Sequence, residues 1–159
     1  RVDHANAKLE AIGKTNIISP VAYAAGDLRF ISESQRDKAR EKMRAIVSRN
    51  LNGTNASISF SDGLPAMEPA EGNYRLVSFL DGVTKDMGIG PTRAGDPGSR
   101  GAGDISDIAK YVDALDGMGA SGGGSHRPGE TINLKEFPLL IQRAALMIYR
   151  LTRDNPDLK

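Results

Sequence analysis

An α/β fold in two unequal parts is what this sequence of 159 residues predicts. Three observations carry that expectation. Residues 1–63 run strand, strand, helix, strand by hydrophobic period. Residues 64–72 (LPAMEPAEG) hold two prolines and follow no period, which marks a crossing segment. Residues 73–159 run helix, loop, helix, strand, loop, helix, the order of an open sheet with covering helices.

The first part begins with VDHANAKLEAI at 2–12 and VAYAAGDLRFI at 21–31, two segments of strand character around the turn signal GKTN. Leu28 and Phe30 alternate with Asp27 and Arg29, which places Arg29 on the face opposite the core. A helix follows. Ser32 and Gln35 have the spacing of a capping box, and Ile31 stands where a staple residue belongs. Ala39, Met43, Ile46 and Val47 then share one helical face. LNGTN at 51–55 stops the helix. ASISFSDG at 56–63 alternates again, with Ile58 and Phe60 on one side. This order matches three-quarters of a ferredoxin-like unit, without its opening strand and helix.

In the second part Leu76, Val77, Leu80, Val83 and Met87 predict a helix over about 73–87. A Gly- and Pro-rich loop spans 89–104. A short helix near 105–112 and a short buried strand near 114–118 come next, and ETINL at 130–134 reads as extended. Pro138 suits a first helical turn. The last helix, to about Arg153, is expected to bury Phe137, Leu140, Ile141, Ala144, Ala145, Ile148 and Leu151. Ten of the 18 glycines lie between 95 and 129, so two loops are expected to converge at one site.

Composition limits the function classes. Formal charge is +1, from 21 basic and 20 acidic residues, which argues against a nucleic-acid or membrane-surface footprint. Without cysteine there is no disulfide, thiolate metal site or cysteine nucleophile. No apolar run approaches the roughly 20 residues of a membrane span. Cytoplasm, periplasm and secretion all stay open. The start at Arg1, within a segment read as strand, reads as a fragment or a processed chain.

Four groups of residues are candidates for chemistry. His126 follows three glycines at the C-terminal end of the expected strand, where open sheets place their sites. A metal ligand and a solvated loop histidine are both readings. SRGAGD at 99–104 would present Gly101 and Gly103 amides as a nest for a carboxylate or oxyanion, or be a tight turn with Asp104 as helix N-cap. No Walker-type phosphate motif accompanies it. Arg29 suits either a carboxylate clamp or a solvated strand face. Asn16 offers a polar hand to a substrate carbonyl or plain turn chemistry. His4 has no assigned role. No general base or complete donor set is present, so no catalytic residue is expected within the chain itself.

NIIS at 16–19, GDLRF at 26–30, the capped helix, GAGD at 101–104 and LDGMGASGGGSHRPGETINL at 115–134 with its apolar helix occur in order. Together they resemble the C-terminal part of the zinc aminoacylase and carboxypeptidase family, most like its glutamate-carboxypeptidase branch. The G-x-x-H-x-P/D-x-E block is the most specific match, and the resemblance spans essentially the whole chain.

The resemblance implies the C-terminal part of a zinc-exopeptidase α/β domain at 73–159, and at 1–63 an incomplete ferredoxin-like lid that forms a homodimer. It implies two zinc ions with His126 as the last ligand. Asn16 and Arg29 would grip a peptide or N-acyl amino acid substrate, and Gly101, Gly103 and Asp104 would border it. Family members usually have Thr or Ser before that aspartate; Gly103 offers no hydroxyl. The His-x-Asp motif, the bridging aspartate and the Glu-Glu pair that includes the general base are expected upstream of Arg1. The implied activity is amide hydrolysis by metal-activated water. The alternative is a non-catalytic dimerisation or binding module of the same fold that has lost its metal site. A third reading is an anion-binding domain built on the loop at 95–104.

Overall fold

The computed structural model describes residues 8–12, 16, 18–99 and 101–153. It is a mixed helical and small-sheet structure, and its contacts divide the chain between Asp62 and Gly63.

In the first unit, strand β1 (Lys8–Ile12) pairs antiparallel with β2 (Val21–Ala25), in register from Lys8 opposite Ala25 to Ile12 opposite Val21. The stretch 2–7, His4 and most of the GKTN turn lie outside the described residues. The second strand is shorter than the alternation predicts. It ends at Ala25, and GDLRF runs on without regular pairing. Arg29 is therefore exposed on an irregular segment instead of a strand face, although Leu28 and Phe30 keep the alternation as half-buried residues.

Helix α1 (Glu33–Val47) starts where the capping box predicts. The Gln35 amide donates to Ser32 Oγ at 3.2 Å, and the Ile31 amide donates back to Gln35 Oε1 at 2.7 Å. No residue of α1 is fully buried. Ala39, Met43 and Val47 are half-buried, but Ile46 is 66% exposed, contrary to expectation. The segment 56–62 is not a strand. No described strand pairs with it, and an unpaired ladder leaves its backbone to water. It is held by side chains instead. Arg40 and Arg44 both lie over the Phe60 ring at 5.1 Å, and Arg40 pairs with Asp62 at 2.6 Å.

The second unit has a small core. Helix α2 (Glu71–Asp86) and helix α3 (Phe137–Arg153) pack through Leu80, Val83 and Met147, flanked by Leu76, Phe79, Met87, Leu115, Met118, Leu146 and Leu151. Arg150 reaches Asp86 at 2.6 Å across the same pair. Buried Thr84 accepts from the Thr92 hydroxyl at 3.1 Å, and Asp81 accepts the Thr92 amide at 2.8 Å, so the loop after α2 is pinned to it. Asp81 also holds Lys85 at 2.6 Å.

Three expectations for this unit change. The helix near 105–112 is a 3-10 turn, Asp104–Asp107. The buried strand near 114–118 is irregular. Ala114 is buried, but its carbonyl accepts from Asn73 Nδ2 at 2.7 Å instead of from a neighbouring strand. On α3 the covered stripe is Leu140, Arg143, Ala144, Met147 and Leu151. Phe137, Ile141, Ala145 and Ile148 form a second apolar stripe that stays exposed, with Ile148 at 63%. Two stripes fit the same apolar composition, and the packing of α2 selects one of them. No helix among the described residues is long and apolar enough to cross a membrane.

Candidate functional site

The His126 loop is a hairpin turn. Strand β3 (Gly122–Gly123) pairs antiparallel with β4 (Thr131–Ile132), so ETINL does contain an extended piece. A Cβ at Gly122 would overlap the backbone carbonyl of Thr131, so this close pairing requires glycine. The Asn133 amide donates to the Ser121 carbonyl at 2.8 Å at the base of the hairpin. There the Ser121 hydroxyl also donates to Glu136 at 2.5 Å.

At the tip the chain turns through the left-handed region. Gly124 has φ 74°, His126 has φ 61° and Gly129 has φ 86°. Among the described residues His126 is the one non-glycine with positive φ. Histidine tolerates that region better than most residues, but the conformation still has to be held by its surroundings. Glu130 holds it. Its carboxylate accepts from the His126 amide and from the Ser125 hydroxyl, both at 3.3 Å. The Arg127 amide donates to the Gly124 carbonyl at 3.0 Å and the Glu130 amide to the Arg127 carbonyl at 3.1 Å. The imidazole makes no hydrogen bond among the described residues and is exposed, which leaves both ring nitrogens available to a ligand. Glu130 stands in the sequence motif but had no role there. Its position four residues after His126 was the signal.

The GAGD segment has a different character. Gly103 is extended at φ −137° and takes the cap position of the 3-10 turn, with the Ser106 amide donating to its carbonyl at 2.9 Å. Asp104 is the first residue of that turn and not its cap. Asp116 sits against Gly103, where a Cβ would come within 2.9 Å of its Oδ2. With Asp104, Asp107 and Asp116 close by, the described part of this loop is acidic. It suits a cation or an N–H donor better than an oxyanion. Arg100 lies outside the described residues.

In the first unit, Arg29 Nε donates to Asp27 at 2.9 Å, and both side chains are more than half exposed. An exposed pair of this kind is weak, so Arg29 can exchange Asp27 for another carboxylate at small cost. Asn16 is exposed at a turn. The candidate residues thus fall into the two units, Asn16 and Arg29 in one, and Gly101, Gly103, Asp104 and His126 in the other.

Beside the hairpin lies an open groove of about 760 Å³, lined by residues 117, 119–123, 125 and 130–132 together with Leu140 and Arg143 of α3. No residue of 101–104 lines it, so the two glycine loops do not share this groove. Among the described residues no three His, Cys, Asp or Glu side chains group to hold a metal ion. His126 supplies one donor, and the described residues do not on their own complete a zinc site. No family model matches the chain, and no curated protein or solved structure matches it either.

Proposed function

We propose that this chain is the C-terminal part of a dizinc metallo-exopeptidase or amidohydrolase of the glutamate-carboxypeptidase type, acting on a peptide or N-acyl amino acid. One observation carries the reading. A histidine is held in the left-handed region at the tip of a hairpin, fastened through its backbone by Glu130, with its ring unbonded and exposed. Strain kept at an exposed ring without a hydrogen bond is a cost without a structural return. A ligand for that ring provides one.

The ordered motifs around it support the same reading. Arg29 would hold the substrate carboxylate in place of Asp27. The acidic GAGD loop would meet an amide N–H or a cationic group. Bound zinc would supply an activated water for amide hydrolysis. Its remaining ligands and the general base belong outside the described residues. The exposed second stripe of α3 and the unpaired segments 56–62 and 114–118 suit a chain whose sheet and helix cover come from further sequence. A homodimer through the first unit, the lid of residues 1–63, goes with this reading.

The test is the complete reading frame that contains this sequence, expressed and assayed with zinc on N-acyl amino acids and dipeptides. Hydrolysis that His126→Ala abolishes together with about one zinc per chain is the expected result. Arg29→Ala should raise KM or lower kcat/KM by about tenfold or more with zinc content unchanged. A dimeric product that binds no zinc and hydrolyses nothing would replace the enzyme with the non-catalytic module.

A further inference from the structure

Arg143 stands apart from the other arginines of the second unit that have described partners. Arg75 pairs with Asp113 and Arg150 with Asp86. Arg143 lies on the covered stripe of α3, between Leu140 and Met147, where periodicity calls for an apolar residue. No carboxylate pairs with it among the described residues. Its Nε is buried and has no hydrogen-bond partner. Its one bond among the described residues is a long one, from Nη2 to the Met118 carbonyl at 3.4 Å. Arg143 is half-buried, and the part of its guanidinium that is withdrawn from water is left with one weak bond, a position that an anion in the groove would improve.

The surroundings leave room for that anion. Arg143 floors the groove of about 760 Å³, whose walls include Gly117, Gly119, Gly122 and Gly123. Glycine at those four positions leaves room for a small molecule beside the remaining lining side chains. Glu130 is the other charged residue of the lining, and its two oxygens are engaged by Ser125 and His126. Arg40 shows the contrast. Its Nε is also buried without a partner, but its guanidinium has Asp62 and the Phe60 ring, so it needs no ligand.

We propose that this groove is a binding site for a small carboxylate, seated end-on against the Arg143 guanidinium. The match is chemical. A planar anion meets a planar donor fork, and the interaction is stronger in a partly desolvated floor than on an open surface. The site needs neither zinc nor any residue beyond the second unit, so it stands independently of the hydrolase reading.

The test uses the 159-residue chain, isotopically labelled, in buffer freed of metal ions by a chelating resin and without added carboxylate. Sodium acetate is titrated at constant ionic strength against sodium chloride while amide resonances are followed. Saturable shifts of Gly119, Gly122 and Gly123 with acetate and not with chloride are expected. Arg143→Gln should weaken acetate binding at least about tenfold, the scale of one charge-assisted hydrogen bond. Arg143→Lys keeps the charge and the reach to the Met118 carbonyl, so it covers the case in which the glutamine variant unfolds. It should bind several-fold more weakly than the native chain, because it lacks the fork. Equal shifts with chloride, or native affinity in either variant, would overturn the site. Because the buffer holds no metal, the outcome is separate from the hydrolase reading: acetate binding here stands or falls without zinc, and amide hydrolysis is tested on the complete reading frame.

Discussion

The two units are held together by different physics. The second has a core, small but real, in Leu80, Val83 and Met147. The first buries no residue of its helix, and two arginines of that helix lie over the Phe60 ring. Its helix is held by charge. Arg36 pairs with Glu33 and with Asp37, and Arg40 with Asp62. A core resists salt and pH, whereas exposed ion pairs are screened by one and titrated by the other. The contrast predicts that the units respond separately to the same perturbation.

The largest effect is expected from Leu80→Ala. Removing a buried leucine costs about 2–5 kcal/mol, comparable to the whole stability of a small domain. Amides of α2 and α3 should lose exchange protection while those of α1 keep theirs. Equal loss in both units would show that the division between them is not real.

Gly122→Ala comes next. The new methyl would overlap backbone, which cannot swing aside as a side chain can, so the β3–β4 pairing should open at about 1–3 kcal/mol. Exchange at Asn133 and the shift of His126 report it, and the α2–α3 core should be unaffected. Gly72→Ala offers a control. There the clash is with the Asp113 side chain, which can rotate away at the loss of its exposed bond to Arg75. Its effect should fall below about 1 kcal/mol.

Phe60→Ala should loosen α1 by about 1–2 kcal/mol, through the loss of two cation–π contacts to a half-buried ring. Raising salt from 0.05 to 1 M, roughly a threefold or greater shortening of the screening length, should loosen α1 in the same direction and affect α2 less, because its ion pairs at Lys85 and Asp86 are backed by a core. A salt response in α2 as large as that in α1 would remove the distinction.

The smallest effects are in pH. Arg40, by its hydrogen bond and then its charge, holds the Asp62 carboxyl below its ordinary 3.8. Lys85, then the Thr92 amide, does the same for Asp81. Both groups have a lower pKa folded than unfolded. Their contribution is therefore present above the ordinary carboxylate range and is lost as pH falls through the lowered values. Acidification below about 3.8 should release α1 before α2, because only α2 has a core to fall back on. Asp81→Asn should flatten the acid response of the loop at Thr92 and leave that of α1 in place.

Local signals were legible wherever the chemistry is local. The Ser32 cap, the start of α1, the course of α2 and the turn that carries His126 all follow from neighbours within four residues. The misses share a cause. Ile58 and Phe60 alternate as a strand does, and 114–118 is apolar as a buried strand is, but a strand exists only with a partner. No pattern in one segment announces whether a partner lies alongside. Glu130 was visible by spacing, while Arg143 was not, since nothing in the α3 sequence marks one arginine among apolar neighbours as lacking an acid.

The sequence by itself determined where helices begin, where glycine must sit and which ring the hairpin presents. These depend on backbone sterics and on hydrogen bonds a few residues long. Tertiary structure alone decided which of the two apolar stripes of α3 is covered, that Phe60 packs under arginine, and that Arg143 faces a groove without a counter-ion. Those outcomes depend on contacts between residues tens of positions apart, and burial is a property of the neighbours a side chain meets, not of the side chain.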